Sequence, residues 1–424
     1  MPKEILEAEM GKLLENLRQQ GKSYLSSDIE KNWSKTVLEY SKELWNFKDE
    51  TKIENELLNA FVKEWQRIGI EEGDIEKAKN SFLKYKTLQT APHLGLTESA
   101  RMLTVNWLST RGLPPDAYYL VGMFSGIPFS NLTKPGCLNF SNAHRISEII
   151  SDSDVVDTEQ KISLFPSILQ DRIIYGSTIP EKMVGVISNL NPEIKKYFAI
   201  PTIGESYTKY ALEHVTKIEK DILGIENAIY FDVNEVIKNY LLEISKNKNH
   251  IIYKILFDQE YSSKIEKEFG DEAILFYGTY LSSKYESMEK LYVKNGTLHG
   301  QHHDIEITPE NITERIENGS LCPGLFLVYL ILTFINHIQC LGSFAQAEYL
   351  PRYGEGLFNT GLLEPDLIKN APVNNLTTGM LPDPNLHDIT PLDILLGSKW
   401  NPDENMYFGE LLLGIENLLY KPKK

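Results

Sequence analysis

Three stretches of the chain combine residue types that do chemistry. The first is Thr90-Ala91-Pro92-His93-Leu94-Gly95-Leu96, where a histidine sits among Pro and Gly ahead of a predicted helix from Thr97 to about Leu108. An imidazole in such a loop can face an anion or serve as acid or base, and equally can bridge the loop itself. The second is His299-Gly300-Gln301-His302-His303-Asp304, followed by Glu306. His299, His302, His303 and Asp304 are the densest set of metal-capable donors, of a kind that suits zinc or iron. Neighbours on an extended strand point to opposite faces, so His302 and His303 need a bend to share an ion; a polar strand or loop is the alternative. The third is Gly342 to Arg352, where Glu348, Tyr349 and Arg352 emerge from an apolar run. Glu348 can act as a base or hold an ammonium group, or can pair with Arg352 one helical turn away.

Two further corners offer backbone N–H groups rather than reactive side chains. Tyr118 to Phe124 predicts a strand that enters a loop at Ser125-Gly126, with Asn131 close behind. Arg172 to Tyr175 predicts another, followed by Gly176, Ser177 and Thr178. Ligands of open α/β sheets bind beyond the carboxyl ends of strands, so both corners are candidate anion or nucleotide sites. Neither has the glycine spacing of a P-loop or a dinucleotide fingerprint, and turn chemistry with N-capping explains them as well. Cys137 follows Pro135-Gly136 and is a possible reactive thiol, although a lone cysteine is more often structural.

The elements that must position these residues change character along the chain. Residues 1–85 read as helices, with a stripe of Leu6, Met10, Leu13, Leu14 and Leu17. Trp33, Val37, Leu44 and Trp45 line a second helix, and Leu57, Leu58, Phe61 and Trp65 a third. Ser27 with Glu30, and Thr51 with Glu54, have the spacing of capping boxes. Residues 86–320 alternate strand-length apolar runs with helical patterns, which predicts an α/β core. Besides the strands above, Tyr197 to Ile200 and Ala228 to Phe231 fit, with helices from Ser206 to Leu223 and from Asn234. Asn295-Gly296 between Lys290–Val293 and Thr297-Leu298 marks a hairpin. Residues 321–424 open with an apolar run from Leu321 to Ala345, long enough to span a membrane. Asn336, His337 and Gln339 interrupt it, so a helix buried on all sides is the expectation. A Pro, Gly and Asn-rich region follows to about Asn401, and it completes the core.

Composition narrows the function classes. The chain has 424 residues, 42% of them hydrophobic, with 43 basic against 59 acidic residues and a formal net charge of −16. That balance argues against nucleic acid as a partner. Three dispersed cysteines form neither a disulfide framework nor a zinc spacing, and no signal core is present, so a cytoplasmic address is expected.

In their order these pieces resemble the cysteine-adding enzyme family of bacillithiol biosynthesis, across Thr87 to Arg352. Thr90, His93, Gly95 and Leu96 are similar to its early loop, and Gly342, Glu348 and Tyr349 to its late segment. Ala91 stands where the family has Gly, Ser125 to Asn131 replaces an acidic, His-containing motif, and the spacing from Gly342 to Glu348 is longer. The resemblance implies a Rossmann-like core with a helical element and a ligase or transferase reaction that condenses an amine or amino acid with an activated partner. His93 would polarise the acceptor and Glu348 would bind the ammonium or act as base. The family's substrates do not carry over. A small-molecule substrate is expected, with a nucleotide or a metal as possible cofactor. A metal-dependent enzyme centred on the histidine cluster and a non-catalytic interaction protein are the other two expectations.

Overall fold

The computed structural model describes residues 1–97, 99–129, 138–139, 163–164, 173–281, 286–381 and 389–419. Asn131 and Cys137 lie outside the described residues.

The core is built on a four-stranded parallel sheet. It comprises β1 (Thr87–Gln89), β2 (Tyr119–Met123), β3 (Ala228–Asp232) and a late strand, Gln339–Leu341. Helices cover both faces, and the side-chain alternation of β2 shows how. Tyr119, Val121 and Met123 join one apolar cluster with α1 (Lys3–Gln19), α2 (Ser23–Asn32) and α3 (Val37–Leu44). Leu120 and Phe124 join the other, with α4 (Asn55–Arg67) and α5 (Glu72–Tyr85). The helical first 85 residues thus divide between the two faces of one sheet. Strands buried on both sides read as continuous apolar runs, as Ala228-Ile229-Tyr230-Phe231 does.

The parallel strands are linked by helices. α6 (Ala100–Thr110) joins β1 to β2, α7 (Glu181–Ser188) and α8 (Tyr207–Leu223) precede β3, and α9 (Val233–Ile244) follows it. An antiparallel sheet comes next, from β4 (Phe276–Leu281), β5 (Glu286–Lys294), β6 (Thr297–His299), β7 (Asp304–Glu306) and β8 (Leu321–Pro323), in the order β8-β4-β5-β6-β7. Asn295 and Gly296 both take positive φ, 52° and 73°, which is the two-residue turn a hairpin of this twist requires. α10 (Pro309–Glu317) follows, capped by the Thr308 side chain.

Several local expectations are corrected. Ile173 to Tyr175 form no strand: Ile173 makes only an isolated bridge to Pro128, and residues 174–177 turn. Tyr197 to Ile200 is irregular, its Ala199 N–H taken by the His214 ring. Trp33 and Val37 do not share a helix, because Thr36 starts α3 with a capping box completed by Glu39. Ser27 lies inside α2, whose Leu25 N–H is capped from a distance by the Glu348 carboxylate. The apolar run from Leu321 is not one helix. After β8 it forms α11 (Leu325–Tyr329) and a π-helical turn from Leu330 to Ile335. It then reverses at Asn336-His337 to give β9 (Gln339–Leu341). α12 (Phe344–Thr360) leaves β9, and α13 (Phe408–Leu413) packs back on α1 and α2. No helix among the described residues is long and apolar enough to cross a membrane.

Polar side chains cause that reversal. Buried Asn336 accepts the Glu54 N–H at 2.7 Å, and His337 reaches Asp49 at 2.9 Å and the Leu367 carbonyl at 2.8 Å. Lys86 donates to the carbonyls of Asp49 (2.8 Å) and Thr51. Burial pushes the Asp49 carboxyl up, but hydrogen bonds from His337 and Thr51 outweigh it and hold it below the usual range. Its contribution is therefore present above the ordinary carboxylate pKa and lost as pH falls through the lowered value. Asp49→Asn is expected to be less stable than the wild type at pH 7, with the gap closing toward pH 3. Urea melts at both pH values check this; an unchanged gap would contradict it.

Candidate functional site

The strand order β9-β1-β2-β3 reverses direction between β9 and β1. The chain builds outward from β1 through β2 to β3, then returns to add β9 on β1's other side. At such a point the connections leave in opposite directions and open a crevice beyond the carboxyl ends of the strands. The two loops that leave there are Thr90 to Ser99, which leads into α6, and Gly342-Ser343, which leads into α12.

These loops are locked together by a buried polar group. Thr90 Oγ1 lies 3.0 Å from the Leu341 carbonyl and 3.1 Å from Gln346 Oε1. Tyr329 OH donates to Gln346 Oε1 at 2.8 Å, and Gln346 Nε2 donates to the Cys340 carbonyl at 2.8 Å. The π-helical turn begins directly after Tyr329; such turns recur at functional sites. Past Thr90 the loop runs beside the end of β2: Leu94 N–H donates to the Phe124 carbonyl, and His93 bridges Phe124. His93 is half-buried, while Gly95, Leu96 and Thr97 around it are buried.

A second polar cluster sits at the carboxyl ends of β2 and β3. Ser125 Oγ donates to Asp232 Oδ2 at 2.6 Å, and Asp232 also caps α9 by accepting the Asn234 N–H. Asp232 is fully buried; burial first, then the neighbouring Glu64 and Glu235, push its carboxyl up to about 8. Asn234 Oδ1 accepts both the Ser125 and the Gly126 N–H, at 3.1 and 3.0 Å, and its amide donates to Cys322 Sγ and the Pro323 carbonyl. Only glycine fits at 126, since a Cβ there would meet Cys322 Sγ at 2.7 Å and Asn234 Nδ2 at 2.8 Å. The N–H pair offered as an anion cradle is thus filled by the protein's own Asn234, and the cluster works as a positioning device for the corner.

The chain matches no family model and no curated protein.

Of the residues singled out by sequence, Thr90, His93 and Gly95 lie in the loop that leaves β1 at the switch point, and Ser125 and Gly126 follow the neighbouring end of β2; only His93 among them is more than slightly exposed. Glu348 is elsewhere. It accepts the Leu25 N–H at 3.1 Å and the Arg352 guanidinium at 2.7 Å, and Arg352 also donates to the Gly21 carbonyl. Gln346 faces Thr90, and residues two apart on a helix do not share a face, so Glu348 is turned from the crevice toward α2. Tyr349 packs its ring on Tyr329 and Tyr353. Gly176, Ser177 and Thr178 form a turn: Ser177 Oγ bonds the Ile173 carbonyl, and Thr178 bridges Ser206.

The histidine cluster is organised by Glu289, a residue the sequence did not flag. Its carboxylate accepts the N–H groups of Gln301 and His302 and contacts His303 Nδ1 at 2.6 Å. His303 Nε2 faces the Thr279 carbonyl at 3.0 Å, so both of its ring nitrogens are engaged. His299 pairs with Asp304 at 2.6 Å, and His302 stacks on Tyr280. Among the described residues no three His, Cys, Asp or Glu side chains are arranged to hold a metal ion. The donors are spent on the hairpin.

Sequence reasoning also passed over Asp232. A signal existed, because an Asp closes the apolar run Ala228 to Phe231 directly before a helix, the same corner pattern that drew attention to Ser125.

Proposed function

We propose that the protein is an enzyme of small-molecule metabolism whose ligand sits at the carboxyl end of the parallel sheet, between the β1–α6 and β9–α12 connections. The observation that carries this is the reversal of strand order at β9 and β1, with Thr90, His93 and Gln346 brought to it from segments some 250 residues apart. A Rossmann-like core belongs to the same reading, supported by parallel strands with helices on both faces. A ligase or transferase reaction, joining an amine or amino acid to an activated partner, suits a crevice whose titratable side chain is a half-buried imidazole. His93 would move the proton or polarise the acceptor. Glu348, engaged with Leu25 and Arg352, takes no part in that scheme. Reduced, buried Cys322 and Cys340 accord with a cytoplasmic setting.

Thermal-shift titration with ATP, amino acids and sugar phosphates tests the reading. One of these is expected to stabilise the fold, by roughly 2.7 kcal/mol at about a hundredfold excess over Kd. His93→Ala should keep the melting temperature of the free protein and lose the shift. No shift with any of the three classes, or a shift that survives in His93→Ala, would overturn the assignment.

A further inference from the structure

We propose a second, independent site at the opposite, amino end of the sheet, where Lys220 is a nucleophilic amine for small anionic carbonyl compounds. Two grooves meet there. One, of about 820 Å³, is lined by Lys196, Tyr197, Lys217, Lys220, Asp221 and Glu226. The other, of about 620 Å³, runs past Asp74, Lys77, Asp116 and Tyr118 and shares Lys220 and Glu226 with the first.

Charge is distributed unevenly among these groups. Lys77 pairs with Asp74, Asp116 with Lys84, and Asp221 accepts the Tyr197 hydroxyl. Lys217 donates to the Lys196 carbonyl, and the Lys196 and Lys217 ammonium groups lie 5.0 and 6.0 Å from the centre of the Tyr197 ring. Lys220 differs from all of them. It is half-buried, and its Nζ has no hydrogen-bond or ion-pair partner among the described residues. Lys220 lies in the last turn of α8, where an ammonium complements the helix dipole, but that role does not require it to line both grooves without a partner. Burial lowers its pKa against the opposing fields of Asp74 and Glu226, and so increases the free-amine fraction.

The site holds the parts that imine formation needs. The neutral Lys220 amine adds to the carbonyl carbon, and the carbinolamine then expels its oxygen as water to leave the imine. Glu226, which lines both grooves, can pass the proton between nitrogen and leaving hydroxyl. Lys196 and Lys217 supply the positive field for an anionic substituent on the carbonyl compound, in a chain whose net charge is −16.

The full chain treated with pyridoxal 5′-phosphate and then borohydride, followed by peptide mapping, tests this. Lys220 is expected to be labelled roughly fivefold or more ahead of the exposed lysines. Pyridoxal without its phosphate should react more slowly at Lys220, and Lys196→Gln with Lys217→Gln should erase that difference. Lys220→Arg, folded by circular dichroism, should lose the preferred adduct. Labelling spread evenly over exposed lysines, or a Lys220 adduct indifferent to the phosphate, would overturn the proposal.

Discussion

Unfolding of an Asp232→Asn variant is expected to lose most of the pH dependence that the wild-type chain shows between about pH 4 and pH 8. Asp232 has no exposed surface, and its carboxyl is pushed from 3.8 to about 8 by burial and by Glu64 and Glu235. A carboxyl with a raised folded pKa binds its proton more tightly in the native state. Its contribution is whole below the unfolded value and is lost as pH rises through the folded one. At roughly 1.4 kcal/mol per unit, the loss across that window is on the order of 6 kcal/mol. Asparagine has nearly the same shape and can keep the acceptor that caps Asn234 N–H, without a charge to bury. The variant should therefore be the more stable protein above pH 8 and should converge on the wild type near pH 4. Urea denaturation at several pH values measures this; two parallel stability curves would show that Asp232 titrates normally.

The largest loss is expected from Phe231→Ala. Phe231 is fully buried on β3, its ring 5.5 Å from Phe61 and 6.3 Å from Trp65, both edge-on. These rings fasten α4 to the sheet, and the following residue is Asp232. Truncation removes the ring's transfer energy and leaves a cavity, about 3–5 kcal/mol in well-packed cores. Phe231→Leu should cost less, under about 1.5 kcal/mol, because it keeps most of the volume. A lower denaturation midpoint with an unchanged m value confirms a pure stability effect. A Phe231→Ala cost under about 1 kcal/mol would mean that the aromatic group collapses to fill the space.

Elements set by local rules were legible in the sequence. The helix from Tyr207 to Leu223 begins at Ser206, whose side chain accepts the Lys209 N–H, and stops at Gly224; the hairpin turned at Asn295-Gly296. The strands that create the switch point were not legible, since β1 and β9 are three residues each, too short for any periodicity, and exist because they pair with each other. The run from Leu321 misled for the opposite reason. Asn336, His337 and Gln339 mark a polar interruption without saying that the chain reverses there, and the break comes from Asn336 and His337 finding partners at Glu54, Asp49 and Leu367, which no window around residue 336 contains. Of the site, the Thr90 to Leu96 loop was visible in residue types alone. That Glu348 faces α2 rather than the crevice follows only from the placement of Leu25 and Arg352.

The seam between α1–α3 and α13 bears on how the chain is made. Val37 N–H bonds the Met406 carbonyl, Phe408 N–H bonds the Lys35 carbonyl, and Tyr40 stacks on Phe408 at 4.4 Å. The sheet likewise stays incomplete until residues 339–341 reach β1. A ribosome therefore releases hundreds of residues before α13 can complete the cover over the first helices. Contacts this distant in sequence fold slowly and leave sticky surface exposed during synthesis. The nascent chain is a natural client for chaperones, and a translation product that stops short of residue 405 is a natural substrate for proteolysis.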